Sequence, residues 1–503
     1  MNIAINLERT ALYFPDRTAV IQDGKRTRYG KFNEDASRVA NGLKSLGIVP
    51  GDTVALFAPN SYHWLVFYFA ALKMGARVAT PASALTRDEI FNTFRDCRPK
   101  AVFTTDDRLN QLESMKDETG IEYLVAPGTQ TSMDSLLDGG ASRFKTVYCD
   151  RNEPAVILFT GGTTGISKGV PLSHENLQTS YQNVAFSERS THEDRCLCFL
   201  PLNHVFGQIH IMGSTIYSGG SMVIQPGFDM DRALDAIKRH RVSKFYSVPT
   251  VYIRMLSINN LRKRLKSVRY CFSAAASMAA ELVREWKTRM NLNIHEAYGM
   301  TESASMVTFN HTYQHVVGSV GTPANLVEVQ IRGLDGSVLG PEEKGEICIR
   351  GPNIMKAYLN RPDETALGFW DDWFRSGDMG ILDDRGYLYI VDRLKDLIIT
   401  GGENVYPREV EELLYTRPEV QECAVVGLPD AEYGERVVAV IVPKPNRTID
   451  ADQLKTFFKT KVAHYKVPKV FMSVDEMPKS HAGKVLKRKL KKELLKGKGL
   501  GTT

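Results

Sequence analysis

The stretch Ala155-Val-Ile-Leu-Phe-Thr160-Gly161-Gly162-Thr163-Thr164-Gly165-Ile-Ser167-Lys168-Gly169 decides the reading of this chain. An apolar run with the texture of a buried strand opens into a loop of four glycines, three threonines, a serine and a lysine. Glycines let backbone N–H groups converge on a cluster of oxyanions with no Cβ in the way. The hydroxyls of Thr160, Thr163, Thr164 and Ser167 add donors, and Lys168 adds a compact point charge. A triphosphate or pyrophosphate needs this combination. The G-x-x-x-x-G-K-[ST] phosphate loop fits nowhere in the chain. The bland alternative is a flexible turn of small residues. The coincidence of strand, glycines, hydroxyls and lysine favours phosphate.

Working outward, helical and strand patterns alternate on both sides of this loop. Residues 30–46 carry apolar side chains at Phe32, Ala36, Val39, Ala40, Leu43 and Leu46, a helical stripe that ends at Gly47. Strands are expected at 53–57 and 77–79, with a helix over 64–74 between them. Downstream, strands at 221–224, 244–247 and 269–272 alternate with helices at 231–240 and 279–290. This alternation predicts parallel α/β sheets, arranged as two α/β lobes. From 318 to 392 the texture changes to short strands and Gly/Pro turns, as in a small β subdomain. A boundary is expected near Asp392-Arg393-Leu394-Lys395-Asp396, giving a large domain of residues 1–393. Residues 394–503 then form a smaller, mobile α+β domain, with a helix at 408–415 and strands at 423–426 and 437–442.

The 503 residues predict about three folding units. With 43% hydrophobic and 24% charged residues, disorder, collagen and a disulfide scaffold are excluded. The net charge of +6 is local, because residues 479–498 hold nine Lys/Arg against Glu493 alone. The rest of the chain is slightly acidic, and the basic run has no interleaved aromatics to stack bases, so nucleic acid is not an expected partner. Those charges are expected to face substrate phosphates or an anionic membrane surface. Seven scattered cysteines without a C-x-x-C suit a reducing cytoplasm. Cys196 and Cys198 share one strand face and read as a core pair. Glu8 and Arg9 interrupt any signal-peptide pattern, and the apolar run 64–72 is too short to span a bilayer. Peripheral membrane contact and self-association stay open.

The glycine loop resembles the signature of the adenylate-forming superfamily, which holds acyl-CoA synthetases, luciferases and peptide-synthetase adenylation domains. Gly161 stands where that family often carries Ser. Further stretches resemble the family's motifs in their usual order, over roughly residues 10–490. Tyr298-Gly299-Met300-Thr301-Glu302 resembles Y-G-x-T-E. The resemblance implies Thr301 at phosphate, Glu302 on Mg²⁺ and Tyr298 beside adenine, and a carboxylate suits so hard a cation. Read alone, Glu302 is a solvated acid. Ser273-Ala274-Ala275-Ala276 matches G-A-A-P, with Ser277 where proline is usual, and implies backbone lying on adenine. Arg375-Ser-Gly-Asp378 resembles T-G-D, so Asp378 would accept from ribose hydroxyls. Arg393 would contact ribose or phosphate oxygens, and Lys395 sits at the family's hinge position.

Thr400-Gly401-Gly402-Glu403-Asn404-Val405 resembles the glycine loop that meets the CoA arm after domain rotation. Pro478-Lys-Ser-His-Ala-Gly-Lys484 resembles P-[RK]-x-x-[ST]-G-K, which makes Lys484 the catalytic lysine, with Ala482 replacing the usual hydroxyl. Asn203-His204-Val-Phe-Gly207 resembles the segment beside the acyl tunnel, and His204 and Gly299 are the candidate acyl-pocket residues. A satisfied buried histidine is the rival reading for His204.

The resemblance implies an ATP-dependent acyl-CoA synthetase. A carboxylic acid would take AMP from ATP, releasing pyrophosphate, and CoA would displace AMP to give a thioester. Rival readings are an adenylation enzyme loading a carrier protein, a luciferase-like oxygenase and a non-catalytic nucleotide binder. Retention of Lys168, Glu302, Asp378, Arg393 and Lys484 together speaks against the last. The small residues Gly299, Ser303, Ala304 and Ser305 read either as a roomy pocket or as close backbone packing. Thr250-Val-Tyr-Ile-Arg254 resembles a stretch of malonyl-CoA synthetases, or Arg254 is a solvated helix residue. A fatty or other hydrophobic monocarboxylic acid is the favoured substrate, ahead of a small dicarboxylate.

Overall fold

The apolar run before the glycine loop is the strand Pro154–Thr160, whose inner residues are buried. The computed structural model containing it describes residues 1–160, 167–276, 278–479 and 485–496. Pro154–Thr160 lies in a six-stranded sheet ordered Tyr123–Val125, Ala101–Thr104, Thr53–Phe57, Arg77–Ala79, Pro154–Thr160, Lys168–Ser173. Every pair is parallel except the last. Thr53–Phe57 and Ala101–Thr104 are buried along their whole length, as strands covered on both faces must be.

A second sheet has seven strands, ordered Ile294–Glu296, Tyr270–Ser273, Lys244–Ser247, Arg195–Cys198, Ser221–Ile224, Thr18–Gln22, Lys25–Arg28. Only its final pair is antiparallel. These are the two expected α/β lobes. The helix Tyr62–Lys73, started by the Ser61 side chain accepting from the Trp64 N–H, is buried from Trp64 onward. Being apolar on all sides, it belongs inside, so the greasiest run of the chain is a core helix. Its one cation, Lys73, is paired with Glu8. Among the described residues no helix is long and apolar enough to cross a membrane.

Glu328–Arg332, Gly345–Arg350, Phe369–Trp370, Trp373–Leu382 and Leu388–Arg393 form the antiparallel β subdomain. The smaller C-terminal domain is built on the long hairpin Val420–Asp430/Gly434–Pro443, edged by Ile398–Thr400, Glu403–Val405 and Val470–Ser473. Its apolar clusters begin at Ile398, whereas the buried residues of the large domain's clusters end at Leu388. The chain therefore resolves into two units of unequal size, where its length alone predicts three.

Part of the basic run at the C-terminus is neutralised locally. Helix Lys487–Leu495 buries Leu490 and Leu494. Lys479 pairs with Glu422 at 2.8 Å, Lys487 with Glu411 at 2.7 Å and Lys491 with Glu435 at 2.8 Å. These three charges are matched within their own domain, because the hairpin and the Pro407–Tyr415 helix present acids to them. The cysteines are all buried and free. Burial pushes the Cys97, Cys196, Cys271 and Cys348 thiols up to about 12, so they are packing residues rather than nucleophiles.

Candidate active site

Three residues expected to meet the nucleotide lie together. Asp378 and Arg393 are register partners on adjacent antiparallel strands. The Arg393 Nε lies 3.3 Å from Asp378 Oδ1, and Tyr298 Oη donates to Asp378 Oδ2 at 2.7 Å. Burial, with Asp378 adding to it, pushes the Tyr298 hydroxyl well above its usual range, which keeps it a donor. The carboxylate is thereby fixed in direction, as recognition of a ribose diol requires. Ser273 ends its strand fully enclosed, with Oγ unpartnered. Ala274 and Ala275 follow, partly exposed. Ala275 has φ +69°, a left-handed conformation that costs a non-glycine residue about 1–2 kcal/mol. The strain falls where the resemblance lays backbone on adenine.

Thr160 and Lys168, which flank the glycine stretch, are register partners across an antiparallel pair. Gly161, Gly162, Thr163, Thr164 and Gly165 lie outside the described residues. Lys168 Nζ lies 2.5 Å from Glu364 Oε2 and 4.9 Å from the centre of the Tyr358 ring. Tyr358 Oη donates to Glu302 Oε1 at 2.9 Å. Thr301 and Glu302 form a single 3-10 turn, and the Met355 N–H holds the Glu302 carbonyl at 2.8 Å. Burial raises the Glu302 pKa. That carboxylate fits a bound Mg²⁺, whose charge would stabilise the ionised form. Among the described residues no group of three His, Cys, Asp or Glu gathers to hold a metal, so remaining ligands would come from phosphate and water.

Of the residues expected at the acyl pocket, His204 is partly exposed, and its Nδ1 accepts from the Phe206 N–H at 3.2 Å. A proton on the neutral ring therefore sits on Nε2. The structure also decides between the two readings of the small residues. A Cβ on Gly299 would lie 1.4 Å from the Ser305 carbonyl oxygen, so Gly299 is small because backbone packs on it. Ser303 and Ala304 are fully buried, and Ala304 is left-handed at φ +48°. Ser305 Oγ lies 3.3 Å from His210 Nδ1. Behind it, His210 Nε2 is 2.7 Å and Lys244 Nζ 3.0 Å from the two oxygens of Glu188, which also accepts from Tyr246. Burial alone would raise the Glu188 carboxyl, but Lys244 and His210 bring it down to about 2. Phe206, Phe272 and Tyr246 ring the same histidine. Arg254 is exposed on the Pro249–Leu256 helix.

Residues 7–359 match the AMP-binding enzyme family, and residues 409–484 match the AMP-binding enzyme C-terminal domain. The chain belongs to the AMP-binding enzyme family. It is an AMP-forming acid–thiol ligase. This AMP-binding enzyme is 33% identical over 487 residues to feruloyl-CoA synthase of Amycolatopsis sp, covering 96% of this chain and 97% of the relative. It is 32% identical over 523 residues to long-chain-fatty-acid–CoA ligase of Bacillus subtilis strain 168, covering 97% and 93%. Its fold superposes on the ATP-bound crystal structure of MatB from Rhodopseudomonas palustris with a TM-score of 0.92, at 33% identity and covering 98% and 99% of the two chains.

The smaller domain of the AMP-binding enzyme begins just after Arg393, at the expected hinge residue Lys395. Lys395 is exposed, but partial desolvation of its ammonium, then Arg393, lowers its pKa. Gly401 and Gly402, at φ +61° and +82°, join Ile398–Thr400 to Glu403–Val405, with Thr400 and Glu403 in register. A two-residue hairpin with both φ positive demands this pair of glycines. Glu403 is exposed beside them. Lys484 lies outside the described residues. Asp392 Oδ2 accepts from the Arg408 N–H at 2.8 Å, and Glu412 Oε2 from the Ala280 N–H at 3.2 Å. An open cleft of the AMP-binding enzyme, about 730 Å³ beside Asn152, Lys356 and Phe369, is not lined by Lys168 or Asp378. Tyr358, Glu364, Glu188 and His210 escape sequence reasoning. None of them lies in a recognisable motif, and only its through-space partner marks it.

Proposed function

We propose that this enzyme converts a fatty or other hydrophobic monocarboxylic acid to its CoA thioester through an acyl-adenylate. The observation that carries the substrate class lies behind Gly299. The buried His210 and Lys244 there are both taken up by Glu188, and aromatic rings surround them. A second carboxylate would find no uncommitted charge in that cluster, whereas an apolar chain would find ring faces.

In the first half-reaction a carboxylate oxygen of the acid attacks the ATP α-phosphorus and pyrophosphate leaves, giving a mixed anhydride. The glycine-rich stretch with Thr160 and Lys168 holds the leaving phosphates, Asp378 and Tyr298 orient the nucleoside, and Arg393 supports Asp378. Glu302 would hold Mg²⁺, which supplies charge neutralisation for the phosphates. Catalysis is then mainly positioning and charge stabilisation, with no protein nucleophile. In this reading Lys484 bridges the attacking carboxylate and the α-phosphate. Residues 394–503 then turn about Lys395, so that Gly401, Gly402 and Glu403 meet the CoA arm, and the CoA thiol displaces AMP.

The test separates the halves. Lys484→Ala should abolish acid-dependent ATP–pyrophosphate exchange while preformed acyl-AMP still reacts with CoA. Equal failure of both halves in a folded variant would show the role to be misassigned. Mass spectrometry of products from a mixed acid panel tests the substrate class, and dominant malonyl-CoA overturns it.

A further inference from the structure

Lys168 does not stand alone beside the glycine stretch. Its ammonium is the end of a row of alternating charges that begins on another element of the large domain. Asp96, in helix Arg87–Cys97, accepts from Arg361 Nη2 at 2.8 Å. Arg361 Nε lies 3.6 Å from Glu364 Oε1, and Glu364 Oε2 lies 2.5 Å from Lys168 Nζ. Backbone contacts fix the same segment. The Leu359 N–H donates to the Gly169 carbonyl at 2.9 Å, and Asn360 Nδ2 donates to the Asp96 carbonyl at 3.0 Å. A Cβ on Gly169 would come within 3.0 Å of Leu359 Cβ, so the segment is seated closely on the strand that carries Lys168.

We propose that Glu364 is a positioning residue for Lys168, and that Arg361, anchored on Asp96, holds Glu364 in place. The proposal rests on the reading that Lys168 meets the ATP phosphates. A lysine head has three donors on a long, flexible stem. With one donor committed to Glu364 and the ammonium resting over the Tyr358 ring, the stem is confined and two donors stay free for phosphate oxygens. A carboxylate beside a polyphosphate would ordinarily repel it. Arg361 offsets that charge from the far side, and Asp96 offsets Arg361, so the four groups together are neutral. The side chains are half-buried, so each pair alone is worth little, and the effect comes from orientation across the row.

The test is a double-mutant cycle on ATP–pyrophosphate exchange, with the KM for ATP read separately from kcat. Glu364→Gln should raise the KM for ATP about fivefold, the size of one such charge contact, with a smaller change in kcat. Glu364→Asp keeps the charge and should recover part of the loss, which separates positioning from misfolding. In a Lys168→Gln background the Glu364→Gln change should have no further effect, because the group it positions is gone. If the fivefold loss persists in that background, Glu364 acts on something other than Lys168 and the proposal is overturned while the role of Lys168 stands. An unchanged KM in Glu364→Gln overturns it as well. If Lys168→Gln itself leaves the KM for ATP unchanged, the phosphate role of Lys168 fails and the proposal with it.

Discussion

Replacing Glu296 by glutamine should stabilise the enzyme at neutral and alkaline pH. Glu296 ends the strand Ile294–Glu296 at 5% exposure, and its Oε2 has no hydrogen-bond partner. Arg408 and Glu412 approach it from the C-terminal domain's Pro407–Tyr415 helix, and the Met278 N–H from the large domain. Burial raises its carboxyl from 4.5 to about 8, with Arg408 opposing and Glu412 adding to the shift. A folded-state pKa above the unfolded one means that the folded protein binds the proton more tightly. The stability linked to that proton is complete below pH 4.5 and falls by about 1.4 kcal/mol per pH unit as the pH rises toward 8. At pH 7 the loss is about 3 kcal/mol, and above pH 8 it levels off near 5 kcal/mol. Glutamine has nearly the same shape and cannot ionise. The variant should therefore lie within about 1 kcal/mol of the wild type at pH 5 and exceed it by about 3 kcal/mol at pH 7. Denaturant unfolding from pH 5 to 9, followed by tryptophan fluorescence, reads this directly. All four tryptophans, Trp64, Trp286, Trp370 and Trp373, lie in the large domain that carries Glu296. Parallel pH profiles for the two proteins would refute the reasoning. So would destabilisation by glutamine at every pH, which would mean an ionised carboxylate paired with Arg408.

Two further outcomes are expected. Gly299→Ala places a methyl 1.4 Å from the Ser305 carbonyl oxygen, so the 298–306 backbone must shift and ATP–pyrophosphate exchange should fall at least tenfold; wild-type exchange would show that this wall yields freely. Lys244→Met leaves Glu188 buried with a weaker counter-charge and should cost about 3–5 kcal/mol in denaturant unfolding at pH 7, much of it recovered when Glu188→Leu is added. A double variant no more stable than Lys244→Met would place the loss in packing instead.

Much of the fold is legible in local pattern. Thr53–Phe57, Arg77–Ala79, Ser221–Ile224 and Lys244–Ser247 fall where short apolar runs between turn signals put them. Strands lengthened by pairing are legible only at their centres. The expected strand 423–426 is Val420–Asp430, because nearly every residue of that segment has a partner on Gly434–Pro443. The glycine loop announces phosphate chemistry, yet its closure by an antiparallel strand at Lys168–Ser173 is not marked by periodicity. Lys484 and the motif glycines stand out by spacing. Glu364, Tyr358 and Glu188 do not, since a lone acid or tyrosine in a polar stretch reads as solvated.

What the sequence by itself determined is the set of backbone demands and the kind of chemistry. Gly401 and Gly402 are needed wherever a two-residue turn must take positive φ, and the loop from Thr160 to Lys168 concentrates donors whatever surrounds it. Only the tertiary structure decided which charges belong to one another. Lys168 to Glu364, Tyr298 to Asp378, and His210 and Lys244 to Glu188 join segments far apart in the chain. It also decided why Gly299 is small. Electrostatic and steric partners are chosen by distance in space, and no local spacing in the chain records that distance.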